Sequence, residues 1–72
     1  MKTPLKDEDP ALTRRETDVL RLIAQEYSTA EIADQLSVSV PTVETHRRNL
    51  MIKLNARNLA GLVKYAVKRG LV

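Results

Sequence analysis

Apolar residues recur at spacings of three and four along the chain from about residue 12 onward, which is typical of amphipathic helices. The pattern predicts one helix over about 14–26, a second that begins at about Thr29, a third over about 40–54 and a fourth over about 58–69. We therefore expect an all-α domain of four helices.

Signals for helix ends agree with this division. Residues 13–16 (TRRE) and 28–31 (STAE) both have the Ser/Thr-x-x-Glu form of a capping box. Ser39 can cap the third helix, and Pro41 is acceptable because it falls in the first turn of that helix. Gly70 follows the fourth helix, where a glycine commonly ends one.

A short turn joins the second and third helices. Ile32, Ala33 and Leu36 form the inner side of the second helix, and the small Ala33 allows two crossed helices to approach closely. Within the turn, residues 37–39, Val38 is the apolar residue that can fill the angle between the helices. This order of residues predicts a helix-turn-helix. With the first and fourth helices, it predicts a four-helix, bundle-like helix-turn-helix domain.

The third helix has two different faces. At 100° per residue, Val43, Leu50 and Leu54 lie within about 40° of one another and form its buried stripe. The opposite face and its flanks carry mostly polar side chains: Pro41, Glu44, Thr45, Arg48, Asn49 and Ile52. In a DNA major groove, Arg pairs with guanine, Glu accepts from cytosine and a Thr methyl meets thymine. The alternative is the solvated face of an ordinary helix, and the preceding helix and turn favour DNA.

The net charge of +3 is unevenly distributed. Residues 1–43 carry a net charge of −3, whereas residues 44–72 carry seven Lys or Arg against one Glu, a net charge of +6. A basic C-terminal half suits the neutralisation of phosphates. For Lys64, Lys68 and Arg69, the alternative is that they complement the dipole of the last helix.

Composition excludes several classes of protein. Seventy-two residues make one small domain, and the absence of Phe and Trp requires an aliphatic core. Without cysteine, no disulfide framework or Cys-based metal site is expected, and no cofactor is predicted. His46 is the only histidine, and no base accompanies a Ser or Thr nucleophile, so an enzyme is not expected. No apolar run is long enough to span a membrane, so we expect a cytoplasmic protein.

Five segments of residues 12–72 together resemble the LuxR-type DNA-binding domain of NarL/FixJ-type response regulators and quorum-sensing regulators. They are LTRRETDVLRLIA, STAEIA, VPTVETHRRNL, KLNARN and LVKYAVKRGL. The resemblance implies a bacterial transcription factor, in a two-component system, whose third helix enters the major groove and whose fourth helix makes a dimer contact. Region 4 of sigma factors has a similar helix-turn-helix, but the LVKYA pattern favours the LuxR type.

This chain departs from the family pattern at three positions. Glu26 and Asn55 stand where the family usually has glycine after the first and third helices. Asn tolerates a left-handed turn, and Glu does so less readily. Ala30 replaces a Lys that is common in the family, which implies the loss of one phosphate contact.

These observations yield a set of expected contacts. Double-stranded DNA is the expected ligand, with a homodimer formed on paired half-sites, and RNA polymerase is a further expected partner. Amide groups at the helix N-termini are expected to assist in binding phosphates. We expect bases to be read by Glu44, Thr45, Arg48 and Asn49, the DNA backbone to be bound by Thr29, Thr42, Arg47 and Lys53, and the dimer to be formed by Leu59, Val63, Tyr65 and Val67.

Two further points concern the whole chain. Residues 1–11 contain two prolines and an acidic run, which predicts a flexible lead-in or interdomain linker and favours an excised output domain. The alternative function is a helical protein-interaction module that has lost DNA binding. Glu26, Ala30 and the acidic N-terminal half support that alternative.

Overall fold

The computed structural model describes residues 12–71. This part of the chain forms four helices and no strand, which confirms the predicted all-α class. They are α1 (Arg14–Ala24), α2 (Thr29–Leu36), α3 (Val40–Lys53) and α4 (Leu59–Lys68). The helix predicted over 14–26 ends two residues earlier, because residues 25 and 26 form its closing turn. The linker predicted for residues 1–11 lies outside the described residues.

Side chains cap the N-terminus of each of these helices. Thr13 and Glu16 exchange two backbone–side-chain bonds of 3.0 Å each, and Ser28 and Glu31 do the same at 3.1 and 2.8 Å. Both predicted capping boxes are therefore confirmed. The predicted cap Ser39 accepts from the Thr42 amide at 3.2 Å, and Asn58 caps α4 through the Gly61 amide at 3.0 Å.

The C-terminal ends share one backbone conformation. Each of the four helices within residues 12–71 is followed by a left-handed residue, with φ of 70°, 57°, 55° and 72° at Glu26, Ser37, Asn55 and Gly70. After α1, the Tyr27 amide donates to the Leu22 carbonyl at 3.1 Å. This bond spans five residues and is the one that defines a Schellman motif. Glu26 and Asn55 thus adopt the left-handed turn without glycine.

The core is built from one face of every helix. As the composition requires, the nine apolar side chains buried within residues 12–71 are all aliphatic: Val19, Leu20, Ile23, Ile32, Ala33, Val43, Leu50, Leu62 and Ala66. Leu36 and Leu54, which the periodicity assigns to the inner side, are half-buried against this core, as is Ala24. Helix α1 packs on both α3 and α4, while α2 packs mainly on α3. This arrangement leaves the outer side of α3 uncovered.

Candidate nucleic-acid interface

Helices α2 and α3 form the helix-turn-helix. Ala33 is 95% buried between them, as its small side chain predicts. Ser37 ends α2 in a left-handed conformation, and the Val38 amide donates to the Ala33 carbonyl at 3.0 Å. Ser39 then caps α3, so only residues 37–39 separate the two helices. The short turn fixes the angle between α2 and α3.

The outer face of α3 is open. Val43 and Leu50 have no exposed surface, whereas Glu44, Thr45 and Arg48 on the opposite side and its flank are exposed. Asn49 and Thr42 are half-buried. Among residues 12–71, none forms a hydrogen bond or an ion pair with the guanidinium of Arg48. Arg48 is therefore available to an external ligand, together with the predicted base-reading residues Glu44 and Thr45.

The flank of α3 that faces α2 carries polar side chains next to the N-terminus of α2. Arg47 Nη1 donates to Thr29 Oγ1 at 3.3 Å. The structure thus brings together two of the side chains predicted to bind the DNA backbone. The Thr42 hydroxyl lies 2.8 Å from the Ser39 hydroxyl at the start of α3. Ala30, on the first turn of α2, is exposed and has no side-chain donor.

The flank that faces α1 contains an ion pair whose acidic partner is buried. Lys53 Nζ lies 2.7 Å from Glu16 Oε1, and the Glu16 side chain is only 4% exposed. The pKa of Glu16 is lowered, chiefly by the hydrogen bond from Lys53. Burial of the carboxyl raises this pKa, but the bond from the Thr13 amide and the charges of Lys53 and His46 lower it further, so the net shift is downward. The single carboxylate therefore caps α1 and holds the C-terminal end of α3.

The sequence did not reveal this pairing. The sequence predicts only that Glu16 caps α1 and that Lys53 binds the DNA backbone. The two residues are 37 positions apart, so their contact depends on how α1 and α3 pack. The one signal in the sequence was that Glu16 lies beside the inward residues Val19 and Leu20 of its helix.

Helix α4 divides the predicted dimer residues into two sets. Leu59 and Val67 are 47% and 60% exposed, with the half-buried Val63 between them on one stripe. At 100° per residue, Tyr65 lies about 160° around the helix from Val67. The guanidinium carbon of Arg69 lies 5.7 Å from the centroid of the Tyr65 ring, in a cation–π contact. The structure therefore does not bring Tyr65 together with the other three residues.

Membrane-spanning helices and metal-binding clusters are absent from the part of the chain that the structure describes. None of its helices is long and apolar enough to cross a membrane. Within residues 12–71, no group of three or more His, Cys, Asp or Glu side chains could hold a metal ion.

Comparison with known proteins agrees with the helix-turn-helix geometry. The model of the LuxR family of bacterial regulatory proteins matches residues 10–66. This chain is 48% identical over 61 residues to the oxygen regulatory protein NreC of Staphylococcus carnosus. The matched segment covers 85% of this chain and 28% of NreC. The chain is also 48% identical over 64 residues to the transcriptional regulatory protein MctR of Rhizobium johnstonii. That match covers 89% of this chain and 29% of MctR.

The chain belongs to the LuxR family of bacterial regulatory proteins. It is a DNA-binding helix-turn-helix domain, and α3 is the second helix of that motif, the position called the recognition helix. The family and the relatives are regulators rather than enzymes. The chain spans less than a third of the length of the curated relatives that it matches.

Proposed function

We propose that this chain is the DNA-reading output part of a longer regulator of the response-regulator type. The two opposed faces of α3 carry the proposal, because Val43 and Leu50 are fully buried while Arg48 is exposed and unpaired within residues 12–71. A helix held by one face and open on the other fits the major groove. The family match favours this function over a protein-interaction module without DNA binding.

Base reading is assigned to the outer face of α3. Arg48 would donate two hydrogen bonds to a guanine, and Glu44 would accept one from a cytosine amino group. Thr45 offers its methyl group to a thymine and its hydroxyl to a neighbouring base. Asn49 lies half-buried at the edge of this face and would bind an adenine.

Backbone contacts are assigned to the flanks of α3. Arg47 and Thr29 already lie 3.3 Å apart at the start of α2, so their donors converge on one point that a phosphate oxygen could occupy. The positive end of the α2 dipole is at the same place and favours an anion. Thr42 would contribute from the first turn of α3, and Lys53 would reach a phosphate only while remaining close to Glu16.

We further propose that two copies bind paired half-sites through α4. Leu59, Val63 and Val67 form one stripe, and two of these side chains are 47% and 60% exposed. A stripe of three residues is small, which fits a weak dimer that DNA stabilises. Tyr65 lies outside this stripe and would act only at its margin.

The remaining partners follow from regulation in a bacterium. Recruiting RNA polymerase or blocking its site is how such a regulator acts, so RNA polymerase is a proposed partner. Bacterial DNA lies in the cytoplasm, which is the proposed compartment. Relatives more than three times as long leave room for a domain that receives a signal, joined to this one through residues 1–11.

The decisive experiment combines site selection with one substitution. Duplexes bound by the chain are selected from a random pool, and affinity for the preferred duplex is measured by fluorescence anisotropy. Arg48→Ala should weaken binding by roughly 1–3 kcal/mol, or about five- to 150-fold, and relax base choice at one position. Lys68→Ala, which removes the same charge from the exposed surface of α4, should change affinity far less.

Each alternative has a distinct result. Failure to enrich any duplex would refute DNA reading and favour the interaction module. Equal weakening of all duplexes by Arg48→Ala would make Arg48 a phosphate ligand, and base reading would then pass to Glu44, Thr45 and Asn49.

A further inference from the structure

The outer face of the recognition helix contains one large apolar side chain. Ile52 is 71% exposed, more than Leu59 or Val67 on the dimer stripe of α4. It lies directly opposite the buried stripe of α3, since at 100° per residue it is about 180° from Val43. Ile52 therefore contributes nothing to the core, although it stands on a helix whose outer face is otherwise largely polar.

An isolated exposed Ile is common on protein surfaces and by itself indicates nothing. Ile52, however, continues the row of side chains proposed to read bases. It follows Arg48 by four positions and Thr45 by seven, so the three share one side of α3. Continuity with this interface defines what can cover Ile52: the floor of the major groove.

The major groove presents one apolar group, the C5-methyl of thymine. The other base edges offer hydrogen-bond donors or acceptors, which Ile52 cannot satisfy. Burying Ile52 against a methyl group gains apolar contact, whereas burying it against an amino or carbonyl group leaves that group without water. Ile52 should therefore favour a thymine and disfavour the other three bases.

The geometry of the helix limits where this thymine lies. Residues 48 and 52 are separated by four helical rises, about 6 Å along the axis. Helical side chains lean toward the N-terminus, so Ile52 extends over the turn that contains Arg48. Base pairs are stacked about 3.4 Å apart. The thymine should thus fall within about two base-pair steps of the guanine bound by Arg48.

We propose that Ile52 is a specificity-determining residue that contacts a thymine methyl group next to the guanine read by Arg48. The inference rests on the proposed function, because it requires α3 in the major groove. It assigns to α3 two different apolar contacts with thymine, one through Thr45 and one through Ile52, on either side of Arg48.

Replacing thymine by uracil removes only the C5-methyl group and tests this directly. In the duplex selected above, each thymine is replaced in turn by uracil, and affinities are measured for the unaltered chain and for Ile52→Ala. One uracil within two steps of the key guanine should weaken binding of the unaltered chain about three- to fivefold, the contribution of one buried methyl. Ile52→Ala should bind the thymine duplex several-fold less tightly and show no further loss with that uracil.

Four controls make the result specific. Uracil outside the selected site should have no effect, and uracil at a thymine assigned to Thr45 should weaken both proteins equally. Ile52→Val, which keeps most of the apolar surface, should retain part of the sensitivity to uracil. The melting temperature of Ile52→Ala should be unchanged, because the side chain is 71% exposed.

The possible outcomes separate the inference from the proposed function. If no duplex is selected, the proposed function fails and this inference fails with it. If a duplex is bound with the same pattern of uracil sensitivity in both proteins, the inference is overturned while DNA reading stands. If Ile52→Ala reduces binding only to paired half-sites, Ile52 contacts the second copy instead, and the inference is again overturned.

Discussion

Lys53→Met tests how strongly the Glu16–Lys53 pair holds α1 against the recognition helix. Met preserves the length and apolar stem of Lys but removes the charge that lies 2.7 Å from Glu16 Oε1. Removing one partner of a fully buried pair costs about 3–5 kcal/mol, because the other charge stays buried without a partner. Here the Lys53 side chain is 35% exposed, so water can partly replace it. We therefore expect a loss of about 2 kcal/mol in the free energy of unfolding.

Urea unfolding followed by circular dichroism measures this loss. Lys64→Met is the matched control, since Lys64 is exposed on α4, and its unfolding free energy should change by less than about 0.5 kcal/mol. Glu16→Gln preserves an acceptor for the Thr13 amide and removes the charge, so it should cost about 1 kcal/mol. In the double variant the two losses should not add, because each removes the same interaction.

The pair also gives stability a defined dependence on pH. The pKa of Glu16 in the folded chain is lowered from its ordinary value of 4.5. Ionised Glu16 therefore stabilises the folded chain fully above pH 4.5. This stabilisation is lost as pH falls through the lower pKa of the folded chain, because the unfolded chain takes up the proton at a higher pH than the folded chain does. The difference between the unaltered chain and Lys53→Met should shrink across this range. Parallel pH profiles, or a loss no larger than that of Lys64→Met, would refute the reasoning.

Two further predictions concern the end of α1 and the outer stripe of α4. Glu26→Gly should raise the free energy of unfolding by about 0.5–1 kcal/mol. A residue with a side chain costs about 1–2 kcal/mol in the left-handed conformation, and glycine removes that cost. Part of the gain is lost because glycine also gives the unfolded chain more conformational freedom. Gln25→Gly, where φ is −89°, should instead lower the free energy of unfolding, measured by the same urea unfolding, and equal effects of the two substitutions would refute this account. Val67→Glu should leave the monomer folded, since Val67 is 60% exposed, and should reduce binding to paired half-sites more than to a single half-site. Equal losses on one-site and two-site duplexes would remove this stripe from the dimer contact.

Features set by short stretches of sequence were predicted well. Both capping boxes and the Ser39 cap depend on residues three positions apart, and the structure has all three. The inner positions of α2 and α3 follow from the helical period alone, which is why Ile32, Ala33 and Val43 were correctly assigned to the core. Local geometry was enough to predict the helix-turn-helix.

Contacts between distant segments were not predictable in the same way. The Glu16–Lys53 pair depends on the crossing of α1 and α3, which no local pattern specifies. The left-handed turn at Glu26 was also obscured, because Glu does not favour that conformation. There the bonds of the Schellman motif hold the left-handed backbone.

The structure also changes what the basic half of the chain can do. The sequence assigns seven cations to residues 44–72, but they are not equally available to DNA. Arg47 donates to Thr29, Lys53 pairs with Glu16, and Arg69 lies over Tyr65. Each phosphate neutralised contributes about 0.9 to the slope of log affinity against log salt, so that slope counts contacts rather than charges.

That distinction bears on how α3 works. Arg47 and Lys53 lie on opposite flanks of the helix, one bonded to α2 and the other to α1, and both bonds are in place without DNA. Arg48 projects from the outer face of α3, between the directions of Arg47 and Lys53. Among residues 12–71 it has no hydrogen-bond or ion-pair partner. Two basic residues therefore fix the recognition helix from its two sides, and the third is left to read the base. Such preorganisation lowers the entropy lost on binding and makes specificity depend on the outer face of α3.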